Sequence, residues 1–165
     1  MTLAEAAAQA HALAESGDQR ALADLRAEWA EEVEAAARSR DYQERAVAYR
    51  AIGQFRYRQK LELLRRGLED ESPACRGSAL LSLELMSRDH PGDVNAVRHL
   101  LHDLVAHDPN EAIRRLAVMC LRNASPQRDT IVLLEGLADN DEEDRQLRDA
   151  ARKVGAALTR KSRDR

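Results

Sequence analysis

The sequence predicts an all-α fold, a right-handed α-solenoid of about four helical hairpins preceded by an N-terminal capping helix. A phrase of the form Arg-x-x-Ala-x-x-x-apolar carries most of this. It runs through Arg45, Ala48 and Ile52, then Arg76, Ala79 and Leu83, then Arg114, Ala117 and Leu121. A looser copy starts at Arg148 and Ala151, with Val154 and Gly155 at the apolar position. The arginines lie 31, 38 and 34 residues apart, steps at which self-similarity signals stacked helical units. Composition agrees: the apolar content comes mainly from Ala and Leu, strong helix formers, and β-branched residues are sparse. The aromatics are only Trp29, Tyr42, Tyr49, Phe55 and Tyr57, which suits helices packed closely through small side chains. The 165 residues are enough for one domain with a continuous core.

The elements follow from punctuation. A first amphipathic helix over 3–15 stops at Ser16-Gly17-Asp18, where Gly17 suits a left-handed cap and Asp18 can cap the next helix. A long helix over 18–38 repeats Leu22, Leu25, Trp29, Val33 and Ala36 at helical spacing. Asp41 opens a helix reaching Phe55. Helix 58–68 is followed by Glu69-Asp70-Glu71-Ser72-Pro73, with Ser72 as N-cap and Pro73 at the first position of helix 73–87. Asp89-His90-Pro91-Gly92-Asp93 is the clearest break. Helices 93–106 and 110–123 then meet at Asp108-Pro109, and 127–138 and 143–159 meet at an acidic corner. The expected organisation is a single domain over 1–160: a cap (1–17), repeats at 18–56, 57–88, 93–124 and 127–159, and a frayed basic tail at 160–165.

The paired helices, the Asp-x-Pro or Asp-Pro corner and the Arg-x-x-Ala phrase resemble HEAT-like repeats, particularly the short repeats of bacterial and phycobilin-lyase-type proteins. The resemblance covers roughly 41–158. It implies that Asp70, Arg76, Asp108 and Arg114 form a structural ladder between neighbouring repeats, with Arg45 and Arg148 in the same role. Family members include DNA glycosylases and bilin lyases. A glycosylase would need aromatic residues around a carboxylate, and Trp29 sits at core spacing with Leu25 and Val33. Fold analogy alone does not imply activity.

Net charge is −3 but unevenly spread: residues 1–40 carry 4 basic and 8 acidic groups, and 41–68 carry 7 and 3. The chain is no polycation, so general nucleic-acid affinity is not implied. No stretch is long and apolar enough for a membrane span, and Met1-Thr2-Leu3-Ala4-Glu5 lacks the basic start of a secretory signal. Cys75 and Cys120 show no paired spacing and read as small buried residues, so a cytoplasmic protein is expected.

Counting each repeated arginine as zero, positions +3 and +7 are core, and +1, +5 and +8 fall on an exposed arc. In a solenoid, second helices line the concave face. That arc offers Arg50, Leu81, Arg115, Met119, Arg122 and Lys153, with Tyr49 and Glu84 at its margin. It suits a protein partner bearing acidic and apolar groups, so a non-catalytic adaptor or scaffold is the expected function. The alternative is nucleic-acid binding through Arg56, Tyr57, Arg58, Lys60, Arg65 and Arg66, cations with a tyrosine placed to stack on a base. An enzyme is not expected. His99, His102, Asp103 and His107 share one helix and its end without a metalloprotease spacing, and read as exposed polar residues. Cys75 has no histidine at a partnering position. No cofactor or metal is implied.

Overall fold

The computed structural model describes residues 1–164, and these form ten α-helices and one 3-10 turn with no strand among them. The chain divides into two compact units, Met1–Met86 and Ser87–Arg165. An all-α chain of packed helix pairs is what an α-solenoid requires.

The first unit opens with α1 (Leu3–Ser16), α2 (Gln19–Ala37) and α3 (Tyr42–Gln54). Thr2 and Glu5 form a reciprocal capping box at the start of α1, each side chain accepting from the other's backbone N–H at 3.1 and 2.8 Å. Gly17 closes α1 at φ 79°, and Asp18 Oδ1 accepts from Ala21 N to begin α2. Asp41 does the same for α3 through Gln43 N. Helix α1 buries Leu3, Ala6, Ala7 and Ala10 against α2 and α3, and α2 buries Leu22, Trp29 and Val33.

After α3 the backbone makes a Schellman-type turn, Tyr57 N to Ile52 O and Arg56 N to Gly53 O. This places Arg56, rather than a glycine, in the left-handed region at φ 57°. The 3-10 turn Arg58–Lys60 then leads into α4 (Leu61–Leu68) and α5 (Pro73–Ser87). The expected helix over 58–68 is therefore regular only from Leu61. Pro73 does open α5, and the Ser72 carbonyl accepts its first helical bond from Arg76 N. Close approach sets the packing of α3, α4 and α5. A Cβ at Gly53 would lie 2.5 Å from Ser82 Cα, and one at Gly67 would lie 2.9 Å from Ala79 Cβ.

In the second unit, the continuous helix expected over 93–106 is instead two helices, α6 (Pro91–Asn95) and α7 (Arg98–His107). The break has a side-chain cause. Asn95 Oδ1 accepts from both Arg98 Nη2 (2.7 Å) and Ser125 N (3.0 Å), while Asn95 Nδ2 donates to Ser125 Oγ (2.9 Å). Helix α8 (Glu111–Leu121) is capped by Asn110, whose Oδ1 accepts from Ala112 and Ile113 N. Helices α9 (Arg128–Ala138) and α10 (Arg145–Arg163) form an antiparallel hairpin, with Asp144 capping α10. Helix α10 packs on both α9 and α8. The tail expected to fray from residue 160 is helical through Arg163, because Lys161 Nζ donates to Arg122 O at 2.6 Å. Residue 165 lies outside the described residues.

Candidate protein-binding groove

The repeated arginines are mostly structural. Arg45 makes a bidentate pair with Asp70, at 2.9 and 3.1 Å, and also donates to the Ser39 and Arg40 carbonyls. Burial pushes the Asp70 carboxyl up, but the bonds from Arg45 and Ser72 N outweigh it and hold Asp70 below the usual carboxylate range. Arg76 Nη1 donates to the Asp70 and Glu71 carbonyls. Arg114 is again bidentate, to Glu143 at 2.7 and 3.0 Å, and that bonding lowers the Glu143 pKa. Arg148 reaches Asp141 at 3.1 Å. Within each unit, then, an arginine meets an acidic corner 25 or 29 residues further on. Arg45 and Glu143 are full members of this scheme. Asp108 Oδ1 meanwhile accepts from Asn110 N ahead of α8.

Part of the basic run at 56–66 is committed to contacts within the protein, and the expected stacking role of Tyr57 is corrected. Tyr57 is only 4% exposed, packs its ring on Phe55 at 5.0 Å and donates its hydroxyl to Arg26 O. Burial raises its pKa to about 12. Arg56 donates to the Gly53 and Gln54 carbonyls and to Glu15, Lys60 pairs with Glu34 at 2.8 Å, and Arg65 pairs with Glu62 at 3.3 Å. Arg58 and Arg66 are exposed.

The exposed arc holds in part. In the first unit Leu81 is exposed, with Val47 a further exposed apolar side chain that the arginine count missed. Tyr49 is buried and Glu84 half-buried. Two positions assigned to the arc, Gly53 and Gly77, are buried. Arg50 is half-buried, and its Nη1 is inaccessible and has no hydrogen-bond partner. Burial lowers its pKa, opposed by the nearby Glu84 charge.

The second unit gathers three of the expected residues around one groove of about 430 Å³ between α8 and α10. Met119 comes from α8, Arg122 from its C-cap, and Lys153 from α10. Ala150, Val154 and Ala157 of α10 line it with apolar surface, and Arg152 and Arg160 add two further cations. No carboxylate lines it. Arg152 is held by Asp149 and the Ala138 carbonyl. The side chains of Arg122, Lys153 and Arg160 make no hydrogen bond or ion pair among the described residues. Arg115 is not part of this groove: it turns to Asp144 at 3.7 Å. A second groove, about 520 Å³ on the α9 side of α10, is lined by Glu135 and Asp139 as well as Arg152, Arg160 and Arg163, so its charge selects neither sign.

The histidine helix differs from expectation. His102 is half-buried, with Nε2 2.8 Å from Thr130 Oγ1, and the same hydroxyl accepts from Arg98 Nη1 at 2.8 Å. Arg98, only 7% exposed, also donates to Ser125 O, so its three side-chain partners are neutral. With its oxygen accepting from Arg98, Thr130 can donate to a neutral His102. Burial lowers the His102 pKa, the Asp129 charge raises it, and the Arg98 and His99 charges lower it further. Among the described residues no group of three or more His, Cys, Asp and Glu side chains is placed to hold a metal. Cys75 donates to the Tyr42 carbonyl, and burial raises its thiol pKa, the opposite of an activated nucleophile. Trp29 is buried in the first unit. No helix among the described residues is long and apolar enough to cross a membrane.

No curated protein and no solved structure matches the chain. Residues 30–106 match the family described as HEAT repeats, and the paired helices and arginine–acid corners of the chain are similar to those of HEAT-like repeats.

Proposed function

We propose that this protein is a non-catalytic binding module that holds an acidic, amphipathic segment of a protein partner in the groove between α8 and α10. HEAT repeats as a class mediate protein–protein interaction. The observation that supports the reading here is the unpaired trio Arg122, Lys153 and Arg160 around apolar surface from Met119, Ala150, Val154 and Ala157. Apolar lining supplies affinity through burial, while unpaired cations select a partner's carboxylates and speed encounter. Arginine and lysine already committed to internal carboxylates would offer a partner much less.

The test is a binding titration with a fluorescent helical peptide carrying carboxylates on one face and leucines on the other. The wild-type protein binds it with an affinity that weakens as salt rises. The double variant Arg122→Glu, Lys153→Glu binds at least about tenfold more weakly, the equivalent of roughly 1.4 kcal/mol. Equal binding by a folded double variant would overturn the groove assignment. Reversing Arg115 has the smaller effect, because its charge is already opposed by Asp144.

A further inference from the structure

We infer that the acidic segment is helix α2 of a second copy of this chain, so that the protein associates head to tail; this rests on the groove reading above. Helix α2 carries Asp24, Glu28, Glu31 and Glu32 on one exposed stripe, at the spacings that align side chains along a helix. None of the four is engaged by a cation among the described residues. The remaining acid of α2, Glu34, points elsewhere and is held by Lys60 and Arg38 at 2.8 and 3.6 Å. The first unit thus displays a row of four uncompensated carboxylates, and the second unit displays uncompensated cations around an apolar groove.

The two rows match in spacing as well as sign. Asp24 and Glu31 are seven residues apart on α2, as Lys153 and Arg160 are on α10. At 1.5 Å per residue each pair spans about 10.5 Å along its helix. A helix laid along α10 therefore sets both carboxylates against both cations at once, with Arg122 on the other wall of the groove for Glu28 or Glu32. Steric fit follows from small residues: Ala27 and Ala35 are the exposed neighbours of the acidic stripe, and Ala156 is exposed on α10. Short side chains let the helices approach until Met119 meets the alanine surface.

Each copy has one stripe and one groove, and the two surfaces differ. Made once, such a contact leaves one stripe and one groove free, and these are filled either reciprocally by the same partner, closing a dimer, or by further copies, giving a ring or a filament. Its charges are exposed, so association weakens as the Debye length falls from about 10 Å at 0.1 M salt to about 3 Å at 1 M.

Sedimentation velocity of the full chain tests this. Between about 10 μM and 1 mM protein at about 50 mM salt, the weight-average mass rises at least about twofold, and about 1 M salt returns it to the monomer. Two charge-reversed chains, Lys153→Glu, Arg160→Glu and Asp24→Lys, Glu31→Lys, are each monomeric alone. Mixed in equal amounts they associate again, because the reversed groove now fits the reversed stripe. Circular dichroism checks that both keep the helicity of the parent. A wild-type chain that stays monomeric at low salt, association that survives either reversal, or a mixture that fails to reassociate overturns the proposal. The helical-peptide titration separates the two readings. A monomeric wild type that binds the peptide through Lys153 refutes only the self-association. Loss of both refutes the groove as well.

Discussion

At Gly53 the missing side chain lets α3 approach α5: the Gly53 N–H donates to Ser82 Oγ at 3.0 Å, and a Cβ would fall 2.5 Å from Ser82 Cα. The obstructing atom is backbone, so relief requires moving a helix. Gly53→Ala is expected to lower stability by about 1–3 kcal/mol or more, read as a lower urea midpoint. Gly136 on α9 provides the contrast. Nothing lies within 4 Å of its would-be Cβ, so Gly136→Ala removes only the helix penalty of glycine and raises stability by about 0.5–1 kcal/mol. Charge at single residues sets two pH windows. His102 titrates lower in the folded state than in the unfolded chain, because burial disfavours its charged form. Its contribution is full above the unfolded value of about 6.5 and is lost as pH falls through the lower folded value. His102→Gln should therefore flatten the fall in stability between about pH 7 and pH 5, measured by urea titration at each pH. Glu143 acts further down. Its bond to Arg114 depresses its folded pKa, so its contribution is present above about 4.3 and is lost as pH falls through the folded value. Glu143→Gln should cost about 1 kcal/mol near neutrality after allowance for solvent screening, and the difference should fade in that acidic window.

Elements show which features could be read from sequence. Local chemistry was legible: Gly17 ends α1, Asp18 and Asp41 cap α2 and α3, and Pro73 begins α5, each decided within a few residues of chain. What escaped depends on residues about thirty positions away. The interruption between α6 and α7 follows from Asn95 and Arg98 bonding to Ser125 and Thr130 on the far side of α8 in sequence. No apolar periodicity encodes that. Burial of Gly53 required Ser82, and burial of Tyr57 required the Arg26 carbonyl. The groove was half legible, since the arginine count found Met119, Arg122 and Lys153 on one face. It missed Arg160 because the last turns of α10 read as tail, and it included Arg115 because the Asp144 contact comes from the next repeat. A direct test of the buried cluster is Thr130→Val. The shape is kept, but Arg98 Nη1 and His102 Nε2 lose their shared hydroxyl, at an expected cost of about 1–3 kcal/mol in thermal or urea unfolding.

For the whole molecule, charge distribution matters more than its total. A net charge of −3 says little about partners. The useful distinction is between charges neutralised inside the protein, such as Arg45, Lys60 and Arg114, and those left for something outside, such as Arg122, Lys153 and Arg160. The first group holds helix pairs together through the corners. The second surrounds a groove between α8 and α10 that no carboxylate lines, which is the site proposed for a partner. The most direct test of that site is the fluorescence titration of the acidic helical peptide against wild type and Arg122→Glu, Lys153→Glu, both checked for helicity. Salt-sensitive binding by wild type and at least about tenfold weaker binding by the variant is the expected result. Absence of binding to the wild type, or equal binding to both proteins, would contradict it.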